Sequence, residues 1–552
     1  MIEDIKTWWK TGTPLIWLNA GAVSVSLLLV LGILGMIMVK GMGHFWVSDI
    51  YELHYDDPHS PVVIGELIET AEIPALLFKE VEGKDIPENV DVIERVLVKR
   101  GNREQGADFK WVYAHKITSK EVPEDIIKLE RLEWGNFYGY LKNVKEDGKV
   151  VAKDEQAWDQ ISQRFDRVLE LREKLEDLEK DEISSINYGL ERLRLKKREL
   201  ELEKEDTPEN LQRIADEESA YNKKYQVLIQ ELNGLRAEIS RDSADFNSAN
   251  GATVNIPLKL IVSILKPNEM NVFDKIGHYI LNFYNFIFDD PREANTEGGV
   301  FPAIFGTVMM VILMSIIVTP FGVIAAIYLR EYARQGPVIR LIRIAVNNLA
   351  GVPSIVYGVF GLGFFVYFLG GNIDQLFYPE ALPAPTFGTP GLIWASLTLA
   401  LLTVPVVIVS TEEGLSRIPR NLREGSLALG ATKIETLWRV VLPMTSPAIM
   451  TGLILAIARA AGEVAPLMLV GVVKLAPELP MDDNFPFLHM ERKFMHLGFH
   501  IFDVGFQSPN VEAARPLVYA TAFLLVLVII LLNLSAIMLR NRLREKFKAL
   551  DV

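Results

Sequence analysis

Six stretches of the chain are long and almost wholly apolar: 15–38, 301–329, 344–369, 392–411, 447–472 and 517–539. A helix of about 20 apolar residues crosses a bilayer, so this pattern predicts six transmembrane helices. The first run is longer than the apolar core of a signal peptide, and no A-x-A cleavage site follows it. It is therefore expected to remain as an anchor.

The region between the first and second runs has a different pattern. Ile161, Phe165, Val168, Leu171, Leu175 and Leu178 recur at steps of three and four, and Ile183, Ile186, Leu190 and Leu193 continue the series. That spacing places apolar side chains on one stripe of a helix, as in a coiled coil. The series breaks at 203–210, where Thr207 precedes Pro208 and Glu209, a helix-start signature. A second helix is expected through Tyr221, Tyr225, Leu228, Leu232 and Leu235. The two helices predict an antiparallel hairpin over 155–241, standing away from the membrane. Strand-like segments flank it at 92–99, 110–114, 148–152 and 256–265, bounded by Gly, Asn, Asp and Pro. The aromatic, amphipathic stretch 271–287 reads as a helix lying on the membrane surface. The expected fold class is an all-α polytopic membrane protein with six transmembrane helices, plus an extracytoplasmic α+β domain with an antiparallel coiled-coil hairpin. The expected division is an anchor at 1–40, the extracytoplasmic domain at 41–297 and a membrane domain at 298–552.

Charge supplies the orientation. The 552-residue chain has a net charge of −14, and its acid is concentrated at 41–300, where the net charge is −18. Basic residues cluster instead beside the apolar runs. Arg330, Arg334, Arg340 and Arg343 follow the second; Arg417, Arg420, Arg423, Lys433 and Arg439 follow the fourth; Arg540, Arg542, Arg544, Lys546 and Lys548 follow the sixth. With six spans all three clusters fall on one side, which positive charge marks as cytoplasmic. Both termini are then cytoplasmic and the acidic region lies outside. The acidic balance disfavours nucleic acid as a partner. The chain has no cysteine, which excludes disulfides, thiolate metal sites and Cys nucleophiles. No His or carboxylate grouping has metal-ligand spacing, so neither a metal nor a cofactor is expected.

The stretch 413–443 lies between the fourth and fifth runs on the basic side. A short helix is expected to end at Gly430, which accepts a left-handed backbone without steric cost. Thr432 and Glu435 form the T-x-x-E capping box of a second helix, which runs toward Leu442 and is expected to close at Pro443. Gly425, Ser426, Ala428 and Ala431 carry little bulk, so a partner surface can approach the backbone closely. The residues alone leave three readings open: an ordinary linker, a docking element, and a helix-turn-helix poorly placed between membrane spans.

Arg459 and Glu463 fall inside the fifth apolar run. Charges at that depth cost roughly 2.5–3.5 kcal/mol each on insertion scales, and the i, i+4 spacing lets them pair. One reading is a self-neutralising structural pair. The other is a polar lining for an anion path, because the guanidinium fork suits a tetrahedral oxyanion. Asn347, Asn348 and Ser354 on the expected third span add neutral donors to such a path, or simply hydrogen-bond between helices. Pro353 is expected to kink that span.

The loop resembles the EAA loop of ABC-importer permeases: Glu424, Gly430, Leu442 and Pro443 match in register, with Gly425-Ser426 where that family has Ala-Ala. GGVFPAIFGT at 298–307, FGVIAAIYLREY at 321–332, AGVPSIVYGVFG at 350–361 and ARAAGEVAPL at 458–467 resemble the PstA-type permeases of phosphate importers. The resemblance covers 298–552 and says nothing of 41–297. It implies that 413–443 couples to a cytoplasmic ATPase, with Arg423, Glu424, Gly425, Ser426, Gly430, Ala431, Leu442 and Pro443 as the docking residues. It implies inorganic phosphate as cargo and a bacterial inner-membrane location. The implied partners are a second, PstC-like permease subunit, ATPase subunits, a periplasmic phosphate-binding protein and membrane lipids. No G-x-x-x-x-G-K-[ST] occurs, so no ATPase site of its own is expected. Transport of another oxyanion, such as molybdate or sulfate, and a scaffold or signalling role for the coiled coil are the alternatives.

Overall fold

Residues 11–55, 62–74, 92–103, 106–153, 155–508 and 511–547 are described by a computed structural model. Lys548 of the last basic cluster lies outside them. Among the described residues six helices are long and apolar enough to cross a membrane: Leu15–Gly43, Phe301–Tyr332, Ser354–Phe377, Leu392–Arg417, Lys433–Ala461 and Ala514–Arg542. They are the first to sixth spans below. Their core is built from small and flexible side chains that let helices approach: Met310, Met314, Val318, Ala395, Leu399, Ala456 and Ala460 are buried together where the second, fourth and fifth spans meet.

The fold is not all-α, which corrects the expected class. Three antiparallel sheets lie between the first and second spans in sequence. The five-stranded sheet runs in the order Phe109–Tyr113, Val92–Lys99, Val62–Pro74, Ile50–Tyr55, Ile117–Glu121. The larger sheet places Thr253–Pro257, Asp242–Asn247, Phe137–Glu146, Ile127–Arg131 and Ile261–Leu265 side by side, with Lys149–Lys153 on Phe137–Glu146. Pro291–Arg292 pairs with Glu297–Gly298. Within the bilayer a helix satisfies its own backbone; outside it, strands pair with one another instead. Most of these strands run five to eight residues, so they leave a fainter trace than the long apolar runs.

The helices at 155–239 are present as Glu155–Asp177, Ser184–Glu203 and Pro208–Ile239, and the Thr207 side chain accepts from the Asn210 amide as expected of its cap. The apolar stripe of the first helix, however, is not covered by the partner helix alone: Leu235 and Ile239 of Pro208–Ile239 share the cluster with a sheet. Ile161, Val168 and Leu171 are buried against Phe137, Val144, Ala244 and Phe246 of the larger sheet. Burying such a side chain contributes about 1.5–3 kcal/mol, so this stripe anchors the hairpin's root to the sheet. At that root Asp242, with no exposed surface, receives Arg164 Nη1 at 3.1 Å and Arg167 Nη2 at 2.7 Å. Nor does the hairpin stand away from the bundle: its Ser184–Glu203 helix packs on the Pro379–Ala381 turn between the third and fourth spans. Val272–Phe288 is a helix with a full capping box at Asn271 and Asp274, and it leaves Phe273, Ile280 and Leu281 exposed.

The segment 289–298 joins this outer unit to the bundle. Arg103 binds Glu293 at 2.8 Å and Asp108 at 3.0 Å, and Arg292 binds Glu130 at 2.6 Å. From the same segment, Asn295 Nδ2 donates to the Lys474 carbonyl at 2.7 Å, and Lys474 pairs with buried Asp503 at 3.0 Å. His500 lies beside Asp503 and Lys474, and burial lowers its pKa to about 4.

Candidate functional site

The fifth span begins earlier and ends earlier than the apolar run 447–472 suggests. Its helix starts at Lys433, passes through a π turn at Leu437–Val441 and continues as Leu442–Ala461. Pro443 therefore does not close a loop helix; it sits in the first turn of Leu442–Ala461, where its missing N–H is tolerated after the wider π turn. The helix stops at Gly462, so Arg459 occupies its last turn and Glu463 lies just beyond.

Arg459 Nε stands 3.6 Å from Glu463 Oε1, with the side chains 34% and 20% exposed. That is an ion pair without a hydrogen bond, and Arg459 Nε has no hydrogen-bond partner. Beyond Glu463 the chain turns through Pro466 into the short helix Leu467–Val470. The third span crosses this turn closely: a Cβ added at Gly358 would sit 2.7 Å from Pro466 Cα. The pair is thus held near the place where the third span meets the end of the fifth.

The third span differs from its expected course. Pro337–Leu349 is a separate amphipathic helix, and the span starts only at Ser354. Pro353 is the residue before the helix and not a kink within it, because proline removes a donor that the first turn does not need. Asn347 and Asn348 consequently lie off the span, both exposed. The Asn348 carbonyl accepts from Gly351 in the intervening turn. Asn347 lines a cavity of about 320 Å³ with Arg330, Arg343, Glu412, Glu413 and Ser416. Ser354, half-buried, opens the span. Among the described residues no hydrogen bond links Asn347, Asn348 or Ser354 to Arg459 or Glu463.

The loop after the fourth span folds much as its sequence implies. Arg420–Ala428 is a helix, Gly430 turns it at φ +87°, and Thr432 and Glu435 form the capping box of the next helix. Ser426 Oγ and Thr436 Oγ1 meet at 2.9 Å, which fixes the angle between the two pieces. Glu424, Gly425 and Gly430 are exposed; Ser426, Ala431, Leu442 and Pro443 are half-buried. Leu429 and Trp438 project into solvent.

Arg423 stitches this loop to two spans. Its guanidinium donates to the Ile418 and Leu415 carbonyls, both at 2.8 Å, and pairs with Glu331 at 2.9 Å. Lys433 reaches the Glu331 carbonyl and lies over the Tyr332 ring. Glu331 ends the second span, Leu415 the fourth. Sequence reasoning gave Glu331 no role, nor the neighbouring Arg343–Glu412 pair at 2.5 Å. The signal available was a carboxylate immediately after each apolar run on a face otherwise rich in arginine.

A family profile described as "Binding-protein-dependent transport system inner membrane component" matches residues 318–548. The sheets and hairpin lie outside that match. The chain is 40% identical over 175 residues to the "Phosphate transport system permease protein PstA" of Mycobacterium leprae, which is 32% of this chain and 52% of that protein. It is 34% identical over 245 residues to "Phosphate transport system permease protein PstA 1" of Mycobacterium tuberculosis, 44% of this chain and 71% of that one. The PstA protein of Yersinia pestis is 33% identical over 246 residues, 45% of this chain and 74% of its own length. With six membrane-crossing helices, the permease match over 318–548 and the Mycobacterium tuberculosis and Yersinia pestis relatives aligned across more than two thirds of their length, this multi-pass membrane chain belongs to the binding-protein-dependent transport permeases, in their PstA-type branch.

Proposed function

We propose that this chain is one half of the membrane channel of an ABC importer for inorganic phosphate. Residues 298–552 form the permease, 1–40 the anchor and 41–297 a domain outside the cell membrane. The other half is a PstC-like permease subunit, ATP is hydrolysed by separate cytoplasmic subunits, and an external phosphate-binding protein delivers the anion. The arginines around 330–343 and 417–439 support placing the loop in the cytoplasm, with both termini on that side of a bacterial inner membrane.

The observation that carries the reading is the under-paired Arg459. Among the described residues its one ion pair, 3.6 Å to Glu463, orients the guanidinium without saturating it. A phosphate oxygen arriving there takes the unused donors, and the nearby carboxylate keeps the stay short by competing for the same cation. Asn347, Asn348 and Ser354 serve the passage farther toward the loop face, where they offer neutral donors. ATPase motion enters at 413–443 through the exposed Glu424, Gly425 and Gly430. Arg423 passes it on, because one guanidinium holds the ends of the second and fourth spans together.

The test is labelled-phosphate uptake at low external phosphate by a host lacking the gene, complemented with wild type, Arg459→Ala or Glu424→Ala. Rescue by wild type alone, at equal membrane levels, is the expected result. Equal uptake by all three would overturn both residue roles. Competition by molybdate or sulfate in place of phosphate would reassign the cargo.

A further inference from the structure

The hairpin is held at places that differ in kind. Its root is tied to the larger sheet by Arg164 and Arg167 on buried Asp242, and midway Lys180 grips Asp290 at 2.7 Å. Farther along, one side chain meets the loop between the fifth and sixth spans. Tyr188 Oη donates to the Phe485 carbonyl at 2.5 Å, and its ring meets His489 edge-on at 5.9 Å.

The loop under Tyr188 is braced. His489 is held by Asp482 at 3.0 Å and Glu491 at 3.2 Å, and Arg492 binds Asp482 at 2.7 Å. That loop is in turn tied to the start of the fourth span: the Leu392 amide donates to the Arg492 carbonyl and the Ile393 amide to the Met490 carbonyl, both at 2.9 Å. The same hairpin helix also rests on the Pro379–Ala381 turn. It therefore lies across both connections on the sheet-bearing face, the one between the third and fourth spans and the one between the fifth and sixth.

Between the hairpin's own two helices a cavity of about 480 Å³ is lined by Arg192, Lys196, Glu199, Glu217 and Tyr221, and by Glu380 from the Pro379–Ala381 turn. The Tyr188 contact is one neutral hydrogen bond and a ring edge, whereas the root carries ion pairs to a buried carboxylate. Phe485 and Phe487, beside the contact, are exposed aromatics on the loop.

We propose that the hairpin is a strap over the outer face of the permease, rooted on the larger sheet and latched by Tyr188, and that the latch opens in each transport cycle. The proposal rests on the importer reading, in which a binding protein delivers its cargo to the loops that the strap covers.

The chain's lack of cysteine makes the test direct. Arg192→Cys and Glu380→Cys, which line the same cavity from the hairpin and from the Pro379–Ala381 turn, are introduced singly and together in the full chain, assembled with its importer partners in membrane vesicles. A short bis-maleimide with a reducible spacer then closes the strap. The expected result is efficient joining in the double variant, loss of labelled-phosphate uptake on joining, and recovery on reductive cleavage, with the single variants unaffected. Undiminished uptake with the strap joined would overturn the proposal, and so would negligible joining in a folded, membrane-resident protein. Absent uptake by untreated wild type would count against the phosphate reading, and the joining yield would still decide whether the strap lies where stated.

Discussion

Arginine meets carboxylate in two regions of this protein, and the two meetings are unlike. In the outer unit, Asp242 is wholly buried and takes hydrogen bonds from Arg164 and Arg167, while Arg164 and Arg241 also hold Glu146 at 2.9 and 3.0 Å. In the bundle, Arg459 has one carboxylate at 3.6 Å and a third of its side chain open; a buried Nε without a hydrogen-bond partner is common to Arg164, Arg167 and Arg459. A charge kept only for structure is closed up with partners, because a buried unpaired charge is expensive. An ionisable residue inside a membrane bundle is by default a candidate for function, and the anion path proposed for Arg459 takes it as one.

The largest effect that sharpens this contrast is on the structural side. Asp242→Ala leaves Arg164 and Arg167 facing a buried void, and removing one partner of a buried pair costs about 3–5 kcal/mol. Thermal unfolding of the purified protein should show a marked loss, and an unchanged midpoint would deny the network its structural role. The joint between the regions gives the next effect. His500 is buried neutral, its pKa lowered from 6.5 to about 4 by burial, with Asp503 favouring its charge, Lys474 opposing it and the Asn295 backbone hydrogen-bonding it. The unfolded chain takes up that proton first, so stability is full above about pH 6.5 and falls as pH drops toward 4. His500→Gln should flatten this fall; an identical pH slope in both proteins would remove His500 from the joint's acid sensitivity. Smaller still, Thr432→Ala deletes the cap of the helix that opens the fifth span, a loss of about 1 kcal/mol. It should lower uptake per membrane copy less than Glu424→Ala does, and a larger loss would make the cap part of the docking surface. Smallest is Gly425→Ala. No atom lies within 4 Å of the added Cβ, and alanine favours helix by up to about 1 kcal/mol. Uptake should hold and unfolding should shift slightly upward; a loss of uptake would show that a partner needs the bare backbone there.

Much of the bundle was legible. Six apolar runs gave six spans, and the capping box at Thr432 and Glu435 and the turn at Gly430 formed where the sequence placed them, since each is a local device. The span limits were less legible, because hydropathy does not see where a helix breaks. Apolar residues continue through 350–353 and 464–472, yet Pro353 starts a helix and Gly462 ends one. That misplaced Asn347 and Asn348 onto the third span. The outer unit was read least well. The stripe of Ile161, Val168 and Leu171 has coiled-coil spacing, but spacing does not say what covers a stripe, and here a sheet shares it with Leu235 and Ile239 of the second helix. The lean of the hairpin onto Phe485 depends on contacts hundreds of residues apart, which no periodicity records.

The account turns on Arg459 being functional and not structural. The most direct measurement pairs uptake with stability in one variant: Arg459→Ala, assayed for labelled-phosphate uptake per membrane copy and for thermal unfolding. Losing a charge-assisted contact worth about 1.5–3 kcal/mol to a passing anion corresponds to roughly 10–100-fold. The account predicts a fall in uptake of that order with the unfolding midpoint unchanged. Uptake retained, or lost only in step with a lowered midpoint, would make Arg459 and Glu463 a structural pair and contradict it.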